Sequence, residues 1–244
     1  MALRYKTSMA YENEKRILPP FPRTPSMFRR DNDDIVAFEE LDLFQTERFI
    51  VEEKLDGANC GIALSEGNDF IIRNRKHILK KGYKKNTKAK DQYLSIWNWA
   101  YEHIEAFREL RLIDKNVSVY GEWLFAKHTI HYDVLPDYFI AYDVYDYATD
   151  SFWEPILGRN VLDHCGFSIP PLIECDPTDN IIKILRDSSN SLSKFSTTDL
   201  CEGMYIKFYD DTNIIGRLKY VRDSFKSDPN WTKEKLIKTI TNNT

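Results

Sequence analysis

The sequence predicts an α+β fold of mostly antiparallel sheets flanked by helices, in one large domain. Three observations predict it. The chain has 244 residues, more than one small core needs and short of two domains of ~150 residues each. Hydrophobic residues make up 42% and aromatics 14%. That is enough apolar surface to offset chain entropy, and it excludes a disordered or low-complexity chain. Short β-rich runs also outnumber the helical patterns, as expected for packed antiparallel sheets with helices outside.

The segment up to about Arg30 contains Pro19, Pro20, Pro22 and Pro25. It reads as an extended lead-in and not a helix, because proline fixes φ and lacks an N–H donor. Strands follow at 49–53 (FIVEE), 60–64 (CGIAL) and 70–74 (FIIRN), the last two joined by the turn-like SEGND. Residues 91–110 place Leu94, Trp97, Tyr101, Ile104 and Leu110 near helical spacing, with Asp91 as N-cap. Strands are expected at 117–123 and 138–145, and helices at 154–164, stopping at Gly166, and at about 178–187. Residues 203–209 and 213–221 form a hairpin across DDT, and Pro229 opens a short tail helix capped by Ser227 or Asp228. The expected division is a lead-in over 1–27, a catalytic-size domain over 28–222, and a tail over 223–244.

No apolar run reaches the ~18 residues of a membrane span, and the polar N-terminus lacks the apolar stretch of a secretory signal. Cys60, Cys165, Cys175 and Cys201 include no CxxC pair. Reduced thiols in an intracellular protein, cytoplasmic or nuclear and not secreted, are the expectation. The cysteine spacings do not suit a zinc clip. His128 and His131, with no third ligand nearby, are read as surface or hydrogen-bonded residues.

The net charge of −4 argues weakly against a nucleic-acid partner. It conceals an asymmetry. Residues 71–90 carry nine cations and no acid, while the remainder, with 25 basic and 38 acidic residues, stands at −13. A basic block on an acidic body suits a polyanion, or else is a solvated loop. Arg75, Lys76, Lys80, Lys81, Lys84 and Lys85 are the candidate nucleic-acid contacts.

The most informative stretch is EEKLDGANCG, 52–61. Lys54 ends a β-run, Gly57 permits a tight turn, and Lys54 and Asp56 share a side of an extended backbone. A single Lys–Asp pair would ordinarily be a weak surface ion pair. The whole pattern K-x-D-G-x-N is expected by chance in only about one in several hundred chains of this length.

KLDGAN resembles motif I of the covalent nucleotidyltransferases: ATP-dependent DNA ligases, RNA ligases and GTP-dependent mRNA capping enzymes. Asn59, where DNA ligases typically carry Arg, resembles the RNA ligase 2-like branch. Further motifs follow in order. RNRKHIL offers Arg73, with Arg75 as runner-up, YGEW offers Glu122, and FIAYDVY offers Tyr142. EGMYIK offers Glu202 and Lys207, and IGRLKYVR offers Arg217 and Lys219. The resemblance spans about 28–222 and implies a nucleotidyltransferase, ATP-grasp-like core.

The resemblance implies that Lys54 is the nucleophile, forming lysyl-AMP, with Lys207 and Lys219 as catalytic cations. Asn59, Arg73, Glu122, Tyr142, Glu202 and Arg217 complete the nucleotide site, with Tyr142 against the adenine. Glu122 and Glu202 hold Mg²⁺, with Mn²⁺ as the alternative. Free lysine titrates near ~10.4, so Lys207, Lys219, Arg217 and the metal are expected to lower Lys54. Relatives often carry lysine where Arg217 stands, and a planar fork does not contact phosphate as a point charge does. Strand parity puts Arg217 with Lys219 and Tyr205 with Lys207, sets Tyr142 and Asp143 on opposite faces, and requires a bend at Gly203 if Glu202 is to join Lys207.

The implied substrates are ATP and RNA, or a nicked duplex, with 5′-phosphate and 3′-hydroxyl ends. A DNA nick ligase, a GTP-using capping enzyme and a binding module with a degenerate site are the alternatives. Relatives commonly append a second domain, whereas only 22 residues follow Arg222. The expectation is a nearly bare core that takes the missing contacts from its own lead-in and tail or from a protein partner.

Overall fold

The computed structural model describes residues 12–27, 48–81, 92–175, 180–228, 237–239 and 241. Two antiparallel sheets dominate. The five-stranded sheet runs β3(Phe70–Asn74), β2(Ala58–Leu64), β4(Val117–Trp123), β5(Phe139–Asp146), β6(Ser151–Phe152). The four-stranded sheet runs β7(Leu172–Ile173), β1(Arg48–Lys54), β8(Gly203–Tyr209), β9(Ile214–Val221). The two-residue strands β6 and β7 carry no sequence pattern long enough to predict them.

Alternation along each strand divides the residues between layers. Ala58, Cys60, Ile62 and Leu64 of β2 join Val117, Val119 and Trp123 of β4 in a core. That core is closed by α1(Ile96–Glu102), α2(Ile104–Ile113) and α3(Pro155–His164). Val51, Met204, Ile206, Phe208, Leu218 and Tyr220 form a second core beneath α4(Ile181–Ser189), which contributes Leu185. The remaining faces of the two sheets look at each other, and there the sequence turns polar.

The pattern expected as one helix over 91–110 is two helices broken at His103. The His103 imidazole ion-pairs with Asp137 at 3.1 Å and stacks on Trp99. Glu154 caps α3 by accepting from the Ile156 and Leu157 amides, with Pro155 in the first turn. Gly166 terminates it at φ +86°.

The lead-in requires a correction. Residues 12–17 are helical and only 18–27 are extended. The prolines begin at Pro19, so nothing breaks the helix before it. The extended part is packed, not solvated: Leu18 is fully buried, the Met27 amide donates to the Lys219 carbonyl, and the Lys219 amide donates to the Pro25 carbonyl. The tail helix expected from Pro229 lies outside the described residues, whereas Lys238 and Thr241 bridge to Ala126 and Leu135.

Candidate active site

The inner face of the four-stranded sheet is an alternating polar row. Glu52 and Lys54 of β1 pair in register with Tyr205 and Gly203 of β8, and Tyr205 and Lys207 pair with Lys219 and Arg217 of β9. Across from them stand Asn59, Glu122 and Tyr142 of the other sheet. Between the two faces opens a cleft of about 680 Å³ whose lining includes Lys54, Asn59, Glu122, Tyr142, Glu202 and Lys219. Six of the nine nucleotide-site residues expected from the sequence therefore meet in one place.

Lys54 sits at the strand end, its ammonium 2.7 Å from Glu202 Oε2. Glu202 precedes β8 and so escapes strand parity. The bend forms because Gly203 lies against β9: a Cβ there would fall 1.9 Å from the Tyr220 carbonyl oxygen. Gly57 is needed for a similar reason, since a Cβ would meet Leu124 at 2.5 Å and the Trp123 carbonyl at 2.9 Å. Asp56 does not pair with Lys54. Its carboxylate accepts from the Thr129 and Ile130 amides at 2.8 and 3.0 Å, tying the turn after β1 to the loop after β4.

The electrostatics of Lys54 differ from expectation. Burial pushes its ammonium down, but Glu202, Glu122 and Asp56 outweigh burial and hold it above its ordinary value. The cations expected to lower it are not the neighbours that dominate. Glu122, half-buried and accepting from the Gly57 amide at 3.2 Å, is pushed up to about 8 by loss of water around its carboxyl, against the pull of Lys54. Glu202 is also raised by burial, with Lys54 opposing. Three acids thus surround one lysine, and two of them, Glu122 and Glu202, hold their protons more tightly than an exposed carboxylate does.

Tyr142 reaches the cleft through a β-bulge. Tyr120 pairs with Asp143 and Gly121 with Ala141, leaving Tyr142 as the extra residue. Phe139, Ala141 and Val144 accordingly share the helix-side core. Tyr142 and Asp143 both turn to the inter-sheet side, which corrects the expectation that they face opposite ways. The Tyr142 hydroxyl accepts from the Asn59 amide, and its ring lies 6.5 Å from that of Tyr205 at an interplanar angle of 23°. The other Asn59 side-chain atom, Oδ1, is buried without a partner among the described residues.

Lys207 and Arg217 are placed behind the cleft, not on its wall. Lys207 is fully buried, 2.7 Å each from Glu52 Oε2, Asp143 Oδ1 and the Tyr142 carbonyl oxygen. Arg217 donates to Asp143 Oδ2 at 3.0 Å and lies over the Phe152 ring. Arg159 of α3 closes the chain on Glu52. Together these residues form a network of three cations and two carboxylates joining the sheets. Parity predicts Arg217 and Lys219 on one face; of the two, Lys219 lines the cleft.

Arg73 is likewise buried, with Nη1 donating to the Leu18 carbonyl at 2.6 Å. Its runner-up Arg75 lines the cleft, with Lys76. Lys80 and Lys81 lie further along the same segment, and Lys84 and Lys85 fall outside the described residues.

Several cleft residues were not singled out from the sequence. Phe21, Pro22 and Thr24 of the lead-in form one wall. Phe21 meets Tyr142 edge-on at 5.5 Å, and the Thr24 and Tyr205 hydroxyls are 2.5 Å apart. No local pattern announces these contacts. Tyr205 was legible, through its parity with Lys207. His128, lowered by burial, lines the cleft and bonds Gln92 Oε1 at 3.0 Å.

Among the described residues no group of three or more His, Cys, Asp or Glu side chains could hold a metal. Glu122 and Glu202 are two carboxylates on the wall of the cleft. That donor set suits a hard divalent ion that keeps waters and shares substrate phosphates, not an all-protein cage. The four cysteines are free thiols, and no described helix is long and apolar enough to cross a membrane.

A family model described as RNA ligase matches residues 47–226. Among solved structures, a mutant Naegleria gruberi RNA ligase with ATP and Mn is 15% identical at TM-score 0.58, covering 85% of this chain and 58% of that one. A second such mutant, also with ATP and Mn, is 14% identical at TM-score 0.59, covering 85% and 59%. The same ligase with PPi is 15% identical at TM-score 0.58, covering 84% and 59%. At these identities the likeness is one of fold, and the chain spans under two thirds of the length of those structures. A sequence search of curated proteins gave no match.

Proposed function

Because the chain belongs to the RNA ligase family, we propose that it is an ATP-dependent RNA ligase acting through lysyl-AMP on Lys54. The observation that carries this reading is the Lys54–Glu202 pair, 2.7 Å apart at the strand end, in a cleft that also holds Glu122 and the Tyr142–Tyr205 ring pair.

Adenine lies between the Tyr142 and Tyr205 rings, whose spacing suits one planar ring, and the phosphates extend toward Lys54 and Lys219. Lys54 must lose a proton before attack, because an ammonium has no lone pair. Glu202 Oε2 is already hydrogen-bonded to Nζ and is raised by burial, which makes it the acceptor for that proton. The Nζ–Pα bond then forms as the Pα–O bond to the β-phosphate breaks, releasing pyrophosphate. In the second step a 5′-phosphate oxygen displaces Lys54 from the AMP phosphorus. In the third, a 3′-hydroxyl attacks the activated 5′-phosphate and AMP departs. Glu122 and Glu202 would hold a divalent ion, Mg²⁺ or Mn²⁺, which would supply charge neutralisation at the phosphates. Lys207 positions Tyr142 through its carbonyl oxygen, and Arg217 holds Asp143 in place.

Incubation with α-labelled ATP and Mg²⁺, then chase with 5′-phosphorylated RNA, tests the sequence of steps. Label should appear on the protein, move to the RNA 5′ end, and leave as AMP on sealing. A label that never leaves the protein for RNA, but leaves for a DNA nick, would replace this reading with a DNA nick ligase.

A further inference from the structure

A second concavity lies on the edge of the five-stranded sheet. It has a volume of about 400 Å³ between β3, the segment after it, and α1, and its lining includes Phe70, Leu79, Lys80, Lys81, Trp97 and Tyr101. The segment leading to it is held in place. Asn74 Oδ1 accepts from the Lys76 and His77 amides at 2.9 and 2.8 Å, and the Leu79 amide donates to the Ile72 carbonyl at 2.7 Å. Arg75, Lys76 and His77 line the active-site cleft, and Ile78, Leu79, Lys80 and Lys81 line the groove. One seven-residue strip therefore joins the two, spanning at most about 25 Å. It carries four fixed cations and no acid.

We propose that this groove takes an unpaired nucleotide of an RNA strand whose end lies in the cleft, with phosphates following the strip. The proposal rests on the ligase reading for the strand's end, and on the groove's own chemistry for the nucleotide. Half-buried Trp97 offers an aromatic face, and Phe70 and Tyr101, 5.2 Å apart edge-on, build the wall behind it. Basic side chains beside aromatic platforms are what sequence-tolerant single-strand binding requires. Two acids, Glu14 and Asp69, also line the groove. Asp69 accepts from the Tyr101 hydroxyl at 2.9 Å, and Lys81 lies over that ring at 4.4 Å. Carboxylates inside and cations along the strip suit a base edge that donates hydrogen bonds, with the phosphates outside.

The test is anisotropy of a labelled 5′-phosphorylated single-stranded RNA across a salt series. Lys80→Ala/Lys81→Ala should lower the slope of log affinity against log salt by about 1.4, at ~0.7 per phosphate contact. Trp97→Leu should weaken binding at least about fivefold, Trp97→Phe much less, and an abasic strand should bind the wild type as weakly as Trp97→Leu binds RNA. Melting curves establish that each variant is folded, and the surface lysine pair stands as a test even if Trp97→Leu is not. The proposal is overturned if both lysines can be removed with the slope unchanged, if the abasic strand binds as well as RNA, or if the wild type does not bind RNA. Self-adenylylation of the wild type, measured alongside, reports on the ligase reading separately. An adenylate that forms while the groove variants bind normally removes the groove and leaves the ligase.

Discussion

Lys207→Met converts the centre of the inter-sheet network into an apolar side chain of similar length. Lys207 is fully buried and makes three contacts of 2.7 Å, to Glu52, Asp143 and the Tyr142 carbonyl. Removing it leaves Glu52 with Arg159 and Asp143 with Arg217, each short of one partner. Breaking a buried pair by deleting one member costs about 3–5 kcal/mol, because the stranded charge stays buried. At about 2–4 °C per kcal/mol for a chain of this size, the melting temperature should fall by roughly 6–20 °C. Asp143→Asn in the same background should cost less than it does alone, with a coupling of about 0.5–3 kcal/mol. Thermal melts of the wild type, both single variants and the double variant make the cycle. A fall of under about 2 °C for Lys207→Met, or strict additivity, would refute the account of Lys207 as the link between the sheets.

Glu122 binds a proton up to about pH 8 in the folded chain and only to about 4.5 when unfolded, so stability falls as pH rises between those values. Glu122→Gln should remove that fall: metal-free melts should coincide near pH 4.5 and favour the variant at pH 8.5, and parallel curves would contradict the raised carboxyl. Gly203→Ala must displace β9 or the bend, costing about 1–3 kcal/mol and slowing adenylate formation by moving Glu202. Unchanged melts would show that the contact with Tyr220 relaxes freely. Thr24→Val removes the hydroxyl that meets Tyr205 and should raise the KM for ATP about fivefold, the worth of ~1 kcal/mol, with kcat little changed. Thr24→Ser should restore it, and equal KM values in all three would dissociate the lead-in from the nucleotide site.

Much of this site was legible because strand alternation is a local rule. Arg217 with Lys219, Tyr205 with Lys207, and the hairpin of β8 and β9 follow from spacing alone, and Ala58–Leu64 declares its helix-facing side by its apolar positions. The failures have particular causes. The bulge at Tyr142 inserts one residue and reverses parity beyond it, which no run of apolar residues reveals. Lys207 and Arg217 share faces with their expected companions, but depth along that face depends on how closely the sheets approach, a tertiary quantity. The prolines predict an extended lead-in, but they act only from Pro19 onward. Its packing against Tyr142 and Tyr205 joins residues more than 100 positions apart, with no local signature.

The central claim is that Lys54 becomes covalently joined to AMP, with Glu202 as the group that takes its proton. Peptide mapping by mass spectrometry after incubation with ATP and Mg²⁺ tests it most directly. The account predicts one AMP on the peptide containing Lys54, released by acid as a phosphoramidate, absent from Lys54→Ala, and formed more slowly by Glu202→Gln. AMP on another residue, or an adduct that survives Lys54→Ala, would contradict it.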